Sequence, residues 1–188
     1  MTQNQALNRW FYFVAVSRTQ TKVQRVNRAY FLYHGGDNII AEVKVGDDRC
    51  VEKLQDIHFD EDWIYCQVAK DIYCLENVYN DFCKLANGGD GYFEMQECAF
   101  MLNDRFGPAM CNFKETYIFV TGGLARRSVE RYSIMDNTWQ IMPELRQERH
   151  FHSSVAIHSA IYVFCGQGSS DNYTNSIERL DCSNDDIF

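Results

Sequence analysis

ETYIFVTGGLARRSVERYSIMDNTWQIMP, residues Glu115–Pro143, sets three β-rich runs in succession. Tyr117 to Thr121 is apolar and β-prone and stops at Gly122-Gly123. Val129 to Ile134 carries Glu130-Arg131-Tyr132, and Thr138 to Met142 opens on Trp139. Turn-forming residues separate the runs: Lys114-Glu115 before the first, the two glycines after it, and Asp136-Asn137 before the third. With a further run near Gly107 to Phe113, this reads as four short antiparallel strands, innermost first. Both prolines of the chain, Pro108 and Pro143, fall at strand ends, where a missing N–H costs least.

The same pattern recurs along the chain. IFVTGG (118–123) resembles YVFCGQ (162–167), with Gly122 and Gly166 lying 44 residues apart. FLYHGG (31–36) ends its run at Gly35, and IYCLEN (72–77) fits the frame with Asn77 in the glycine's place. Seventeen residues before Gly35, Gly122 and Gly166 stand Arg18, Arg105 and Arg149, while Asp60 holds that place before Asn77. A third marker follows, SVERYSIMDN (128–137) matching SIERLDCSND (176–185). A unit of about 44 residues built of short β-runs points to propeller blades rather than to paired-helix repeats.

The markers are structural in their chemistry. Two glycines after a strand permit positive φ and close backbone approach. Trp139 offers a large apolar body to fill the space between blades, with an N–H that can reach a carbonyl. The repeated arginine, with five donors, is suited to tying loop carbonyls of one blade to the next. Glu130-Arg131-Tyr132 reads as an alternating strand, apolar side in and polar side out.

Composition bounds the function. The 188 residues are 46% hydrophobic and 14% aromatic, which suits packed sheets, and the formal net charge of −8 argues against nucleic-acid binding. No run approaches 18 apolar residues, so no membrane span is expected. MTQNQALNRW lacks the apolar core of a signal peptide. Residues 1–36 hold Arg9, Arg18, Lys22, Arg25 and Arg28 and no acid, but WFYFVAV (10–16) alternates like a strand, which argues against a transit peptide. The eight cysteines include no C-x-x-C pair, and most sit in apolar runs such as WIYCQVA and IYVFC. They read as free thiols packed in a reducing, cytoplasmic compartment. Asn172-Tyr173-Thr174 is a formal glycosylation acceptor without a secretory signal to support it.

The unit resembles the kelch repeat. Its usual succession of an arginine, a nearby histidine, an aliphatic-Tyr-Val strand, Gly-Gly, a Glu-x-Tyr strand and a tryptophan is carried by Arg149, His152, Ile161-Tyr162-Val163, Gly122-Gly123, Val129-Glu130-Arg131-Tyr132 and Trp139. The resemblance covers about residues 100–188 closely and about 10–100 through spacing alone. Gly166-Gln167 departs from it in lacking the second glycine, and the second unit lacks the tryptophan, for which Phe93 stands in. The resemblance implies an all-β fold, a partial β-propeller of about four kelch-like four-stranded blades in an incomplete ring. One domain is expected over 1–188, with blades at about 18–57, 60–100, 105–143 and 149–188, and residues 1–17 as the outer strand of a preceding blade. Either the chain is part of a longer protein or a second chain completes the ring.

The resemblance further implies a non-catalytic protein-interaction module, an adaptor for a ubiquitin ligase or a cytoskeletal scaffold, with a protein or peptide as partner. The loops joining second to third strands, with those joining consecutive blades, gather at one face. Arg105, Arg126, Arg127, Arg149, Gln167, Asp171, Asn172 and Tyr173 are the expected contact residues, suited to an acidic or extended peptide.

Catalysis has weaker support. Galactose oxidase, a copper enzyme with a Tyr–Cys cofactor, is built on kelch-like blades, so a copper-radical oxidase or a sugar-processing propeller enzyme is the alternative. Tyr65-Cys66 and Tyr73-Cys74 are adjacent on strands and so point to opposite faces. His150, His152 and His158 form the histidine cluster, but no repeated carboxylate accompanies them and a packed role is expected. NGGDG (87–91) reads as a hairpin connection and HFDEDW (58–63) as a solvated loop. No metal site and no cofactor are expected.

Overall fold

The computed structural model describes residues 28–34, 38–44, 51–56, 63–76, 79–88, 92–168 and 172–183, with side chains from Trp63 onward. It divides into two compact units, Met1–Glu61 and Asp62–Phe188.

The first unit contains one antiparallel sheet of β1 (Arg28–His34), β2 (Asn38–Lys44) and β3 (Val51–Asp56), paired in that order. The FLYHGG run falls on β1, which therefore takes the place of a second strand in the repeat frame. The expected strand around Trp10, the marker Arg18 and the HFDEDW loop up to Asp62 lie outside the described residues.

The second unit is three consecutive antiparallel sheets. The first holds β4 (Trp63–Val68), β5 (Asp71–Glu76), β6 (Phe82–Asn87) and β7 (Phe93–Glu97). The second holds β8 (Ala109–Phe113), β9 (Tyr117–Thr121), β10 (Val129–Ser133) and β11 (Thr138–Met142). The third holds β12 (Ser153–Ile157), β13 (Ala160–Phe164) and β14 (Ile177–Asp181). Each sheet is a meander, and the leading strands β4, β8 and β12 lie side by side. This is the blade arrangement of a β-propeller, present here as a partial, unclosed set. All elements among the described residues are strands, and no helix is long and apolar enough to cross a membrane. The expected four-stranded blade is seen in β4–β7 and β8–β11; among the described residues the first and last sheets show three strands, with β14 (Ile177–Asp181) as the expected third strand of the last.

Blade-on-blade packing explains the composition. Strand β9 is buried on both faces, so its alternation separates two cores rather than core from solvent. Ile118 and Val120 join Ile64, Cys66, Tyr73, Phe82 and Tyr132 on the side of β4–β7. Phe119 faces the other way and packs with Phe113, Val129, Ile161 and Val163 toward β12–β14. Each fully buried side chain of this kind contributes about 1.5–3 kcal/mol.

Trp139 sits at the first of these junctions. Its ring lies 4.9 Å from Phe82 and 5.1 Å from Tyr132, and its Nε1–H donates to Ala99 O at 2.8 Å, across the blade boundary. In the preceding sheet Phe93 opens the outer strand and is buried, as its stand-in role requires.

Cys66, Cys111 and Cys182 sit in these junctions, and most of the described cysteines are buried. Cys66, Cys74, Cys83, Cys111 and Cys182 are buried; burial pushes the Cys111 thiol up to about 12 and the Cys66 thiol well above its ordinary value. Cys165 departs from this pattern. It follows β13 at φ +61 and is exposed.

Candidate interaction surface

The loops after β9 and β13 and the connectors leading into β8 and β12 form one end of the second unit. Two buried arginines organise it. Arg105, 1% exposed, donates through Nη1 to Gly122 O and to Ser128 O at 2.8 Å, and through Nη2 to Glu130 Oε1 at 2.8 Å. Glu130, also fully buried, accepts in addition from Leu102 N at 2.8 Å and Asn103 Nδ2 at 2.9 Å.

One repeat later Arg149, 0% exposed, donates to Cys165 O at 2.8 Å, Ser176 O at 3.2 Å, Ser176 Oγ at 2.9 Å and Glu178 Oε1 at 2.7 Å. Glu178 accepts from Arg146 N and Gln147 N, the counterparts of Leu102 and Asn103. Each clip closes the loop between the second and third strands of its own sheet. Burial lowers the Arg105 pKa, and the hydrogen bond to Glu130 opposes that shift.

These clips correct three expectations. Arg105 and Arg149 are buried and engaged, so they cannot touch a partner, and they tie loops within a blade instead of joining one blade to the next. Glu130 does not face solvent but shares the buried face of β10 with Tyr132. At this end backbone bonds join one blade to the next. Gly123 N donates to Arg149 O at 2.9 Å, Leu145 N to Arg127 O at 2.8 Å, and Arg149 N to Arg126 O at 3.4 Å. The approach is close enough that a side chain at Gly122, φ +62, would collide with Arg149 O and the His152 ring.

His152 is a packed histidine. Its Nε2 shares a 2.8 Å hydrogen bond with the Thr121 hydroxyl, and burial, with Arg149 nearby, lowers its pKa to about 3, so the ring is neutral. His150 is buried beside it, while His158 is exposed in the β12–β13 turn. Among the described residues no group of three or more His, Cys, Asp or Glu is placed to hold a metal. The strand register sets Tyr73 opposite Cys66, a cross-strand Tyr–Cys neighbour that reading along one strand does not reveal. Tyr73 is buried against Phe82 at 5.7 Å, and burial raises its pKa.

The other expected contact residues lie on the loops themselves. Arg127 is exposed and paired with Glu144 at 2.8 Å. Arg126 is half-buried, its backbone held by Gly123 O and Arg149 N, and its guanidinium has no carboxylate partner among the described residues. Gln167 pairs through its backbone with His150 and, by a bridge, with Tyr173. Asn172 is exposed and Tyr173 is 86% exposed; Asp171 lies outside the described residues. Reading the sequence for polar residues passes over the exposed apolar side chains here, Phe106, Leu124 and Phe151. Their signal is a large apolar residue in a turn, where no strand alternation accounts for it.

The kelch motif, as a family model, matches residues 148–186, from the connector before β12 through β14. No curated protein matches the chain.

Proposed function

We propose that this chain, a kelch-repeat protein, is a non-catalytic interaction module whose loop face docks a protein or peptide, in the manner of an adaptor or scaffold. What supports this reading is a contrast in how side chains are used. The repeated Arg–Glu pairs are consumed in holding loops shut, whereas on those loops the Tyr173 side chain is exposed and the Arg126 guanidinium has no carboxylate partner among the described residues. Arg126, Arg127, Gln167, Asp171, Asn172 and Tyr173 remain the proposed contacts, and Arg105 and Arg149 are withdrawn. A single set of blades over 1–188, completed by a second chain or by more of the same protein, belongs to this proposal, as does a cytoplasmic location suited to its free thiols.

The test is to recover a binding protein by affinity capture, purify it, and titrate it against wild type and an Arg126→Ala/Tyr173→Ala variant. The reading expects at least a tenfold loss of affinity with an unchanged melting temperature. Undiminished affinity would place the partner elsewhere. Stoichiometric copper in the purified protein would favour the oxidase alternative.

A further inference from the structure

What the loop face binds, which rests on the interaction reading above, is marked by one residue of that face, Phe151. Phe151 lies 44 residues after Gly107, the repeat distance. Gly107 takes φ +64 and Phe151 takes φ +49. The fold therefore asks for a left-handed residue here, supplies glycine in one blade, and carries a phenylalanine in the next. For a bulky side chain that backbone is strained.

Burial does not compensate the strain, since Phe151 is 58% exposed. Its surroundings are nevertheless shaped to hold it. Its N–H donates to Gly107 O at 2.7 Å, and a Cβ at Gly107 would come within 2.9 Å of the Phe151 ring, so the glycine leaves room for the aromatic. Phe106 meets the ring edge-on, centroids 5.2 Å apart at 76°. Leu124, half exposed, is bound by its N–H to Phe106 O at 2.8 Å. Phe106, Leu124 and Phe151 thus form an apolar patch at the junction of β8–β11 with β12–β14.

Charge specifies the rest. Arg105, Arg127 and Arg149 each have a carboxylate, in Glu130, Glu144 and Glu178. Arg126, two residues beyond Leu124 and backbone-bonded to Arg149, has none among the described residues. An apolar patch flanked by an uncompensated guanidinium stands on a chain of net charge −8. A polyphosphate ligand would be repelled by that net charge.

We infer that this patch receives an extended peptide bearing a large apolar side chain, seated on Phe151 and Phe106, and an Asp or Glu within three residues of it that pairs with Arg126. The probe is a phage-displayed library of random dodecapeptides panned against the full chain. An enriched peptide is then synthesised and titrated by fluorescence polarisation against wild type, Phe151→Gly and Arg126→Ala.

Phe151→Gly is expected to raise the melting temperature, because glycine relieves the strain, and to weaken binding at least tenfold. Arg126→Ala is expected to weaken binding at least tenfold for the acidic peptide and to have little effect when the acid is replaced by its amide. A lower melting temperature for Phe151→Gly would make the phenylalanine structural and overturn the inference. Enriched peptides indifferent to both substitutions would also overturn it while leaving a protein-binding role standing, and a panel that enriches nothing would count against both.

Discussion

The sheet β8–β11 and the sheet β12–β14 are two copies of one design, and they diverge in an instructive way. Both carry an arginine seventeen residues before a positive-φ glycine, both bury its guanidinium on the strand-3 glutamate, and both close the same loop. They differ in what they expose. Arg105 and Arg149 are 44 residues apart, but Glu130 and Glu178 are 48 apart, so the loop after β13 is longer by four residues and carries Tyr173. Gly107 gives way to Phe151. What the repeat keeps is scaffold, and where it varies the surface is made.

The two clips are not equally protected, which gives the largest expected effect. Arg105 and Glu130 are wholly buried, while Glu178 retains 13% side-chain exposure and Arg149 keeps Ser176 Oγ as a further partner. Removing one partner of a buried pair leaves an uncompensated charge. Glu130→Ala should therefore cost about 3–5 kcal/mol by denaturant unfolding. Glu178→Ala should cost less, about 1–3 kcal/mol, because a charged group's lost hydrogen bonds are partly replaced by water. Equal losses would mean that exposure does not distinguish the clips.

A second difference is the histidine. His152 faces Thr121 of the neighbouring sheet, and its counterpart 44 residues earlier is Pro108, so only one of the two positions titrates. Its folded pKa of about 3 lies below its ordinary 6.5, so between these values the unfolded chain binds the proton more readily. The stability this neutral ring permits is complete above pH 6.5 and is lost as pH falls toward 3, at up to about 1.4 kcal/mol per pH unit. His152→Gln should flatten the stability–pH slope in that window relative to wild type. An unchanged slope would show that the ring is not buried neutral.

The smallest effect belongs to the exposed pair. Arg127→Ala removes an ion pair whose members are both about half exposed, and it should change stability by at most about 0.5 kcal/mol.

The frame of the fold was legible in the sequence because blade residues recur at fixed distance. Gly122, Gly166 and Trp139 announce turns and an inter-blade filler, and the strands of the second sheet fall where the runs end. The clips were half legible. The arginines were visible as a period, and so was Ser-x-Glu-Arg at 128–131 and 176–179, but the four-residue insertion put the two markers out of phase, and a charged residue on a strand reads as solvent-facing. The apolar contact patch was not legible at all. Phe151 shows its character only through its backbone angle and exposure, neither of which the residue type reveals.

The central claim is a division of labour among arginines, with Arg105 holding the loop and Arg126 presented by it. Melting temperature and peptide affinity measured together for Arg105→Ala and Arg126→Ala test it most directly. The account predicts a large drop in melting temperature for Arg105→Ala, and for Arg126→Ala a melting temperature within about 2 °C of wild type with affinity at least tenfold weaker. An Arg126→Ala protein that melts as early as Arg105→Ala, or that binds as wild type does, would contradict it.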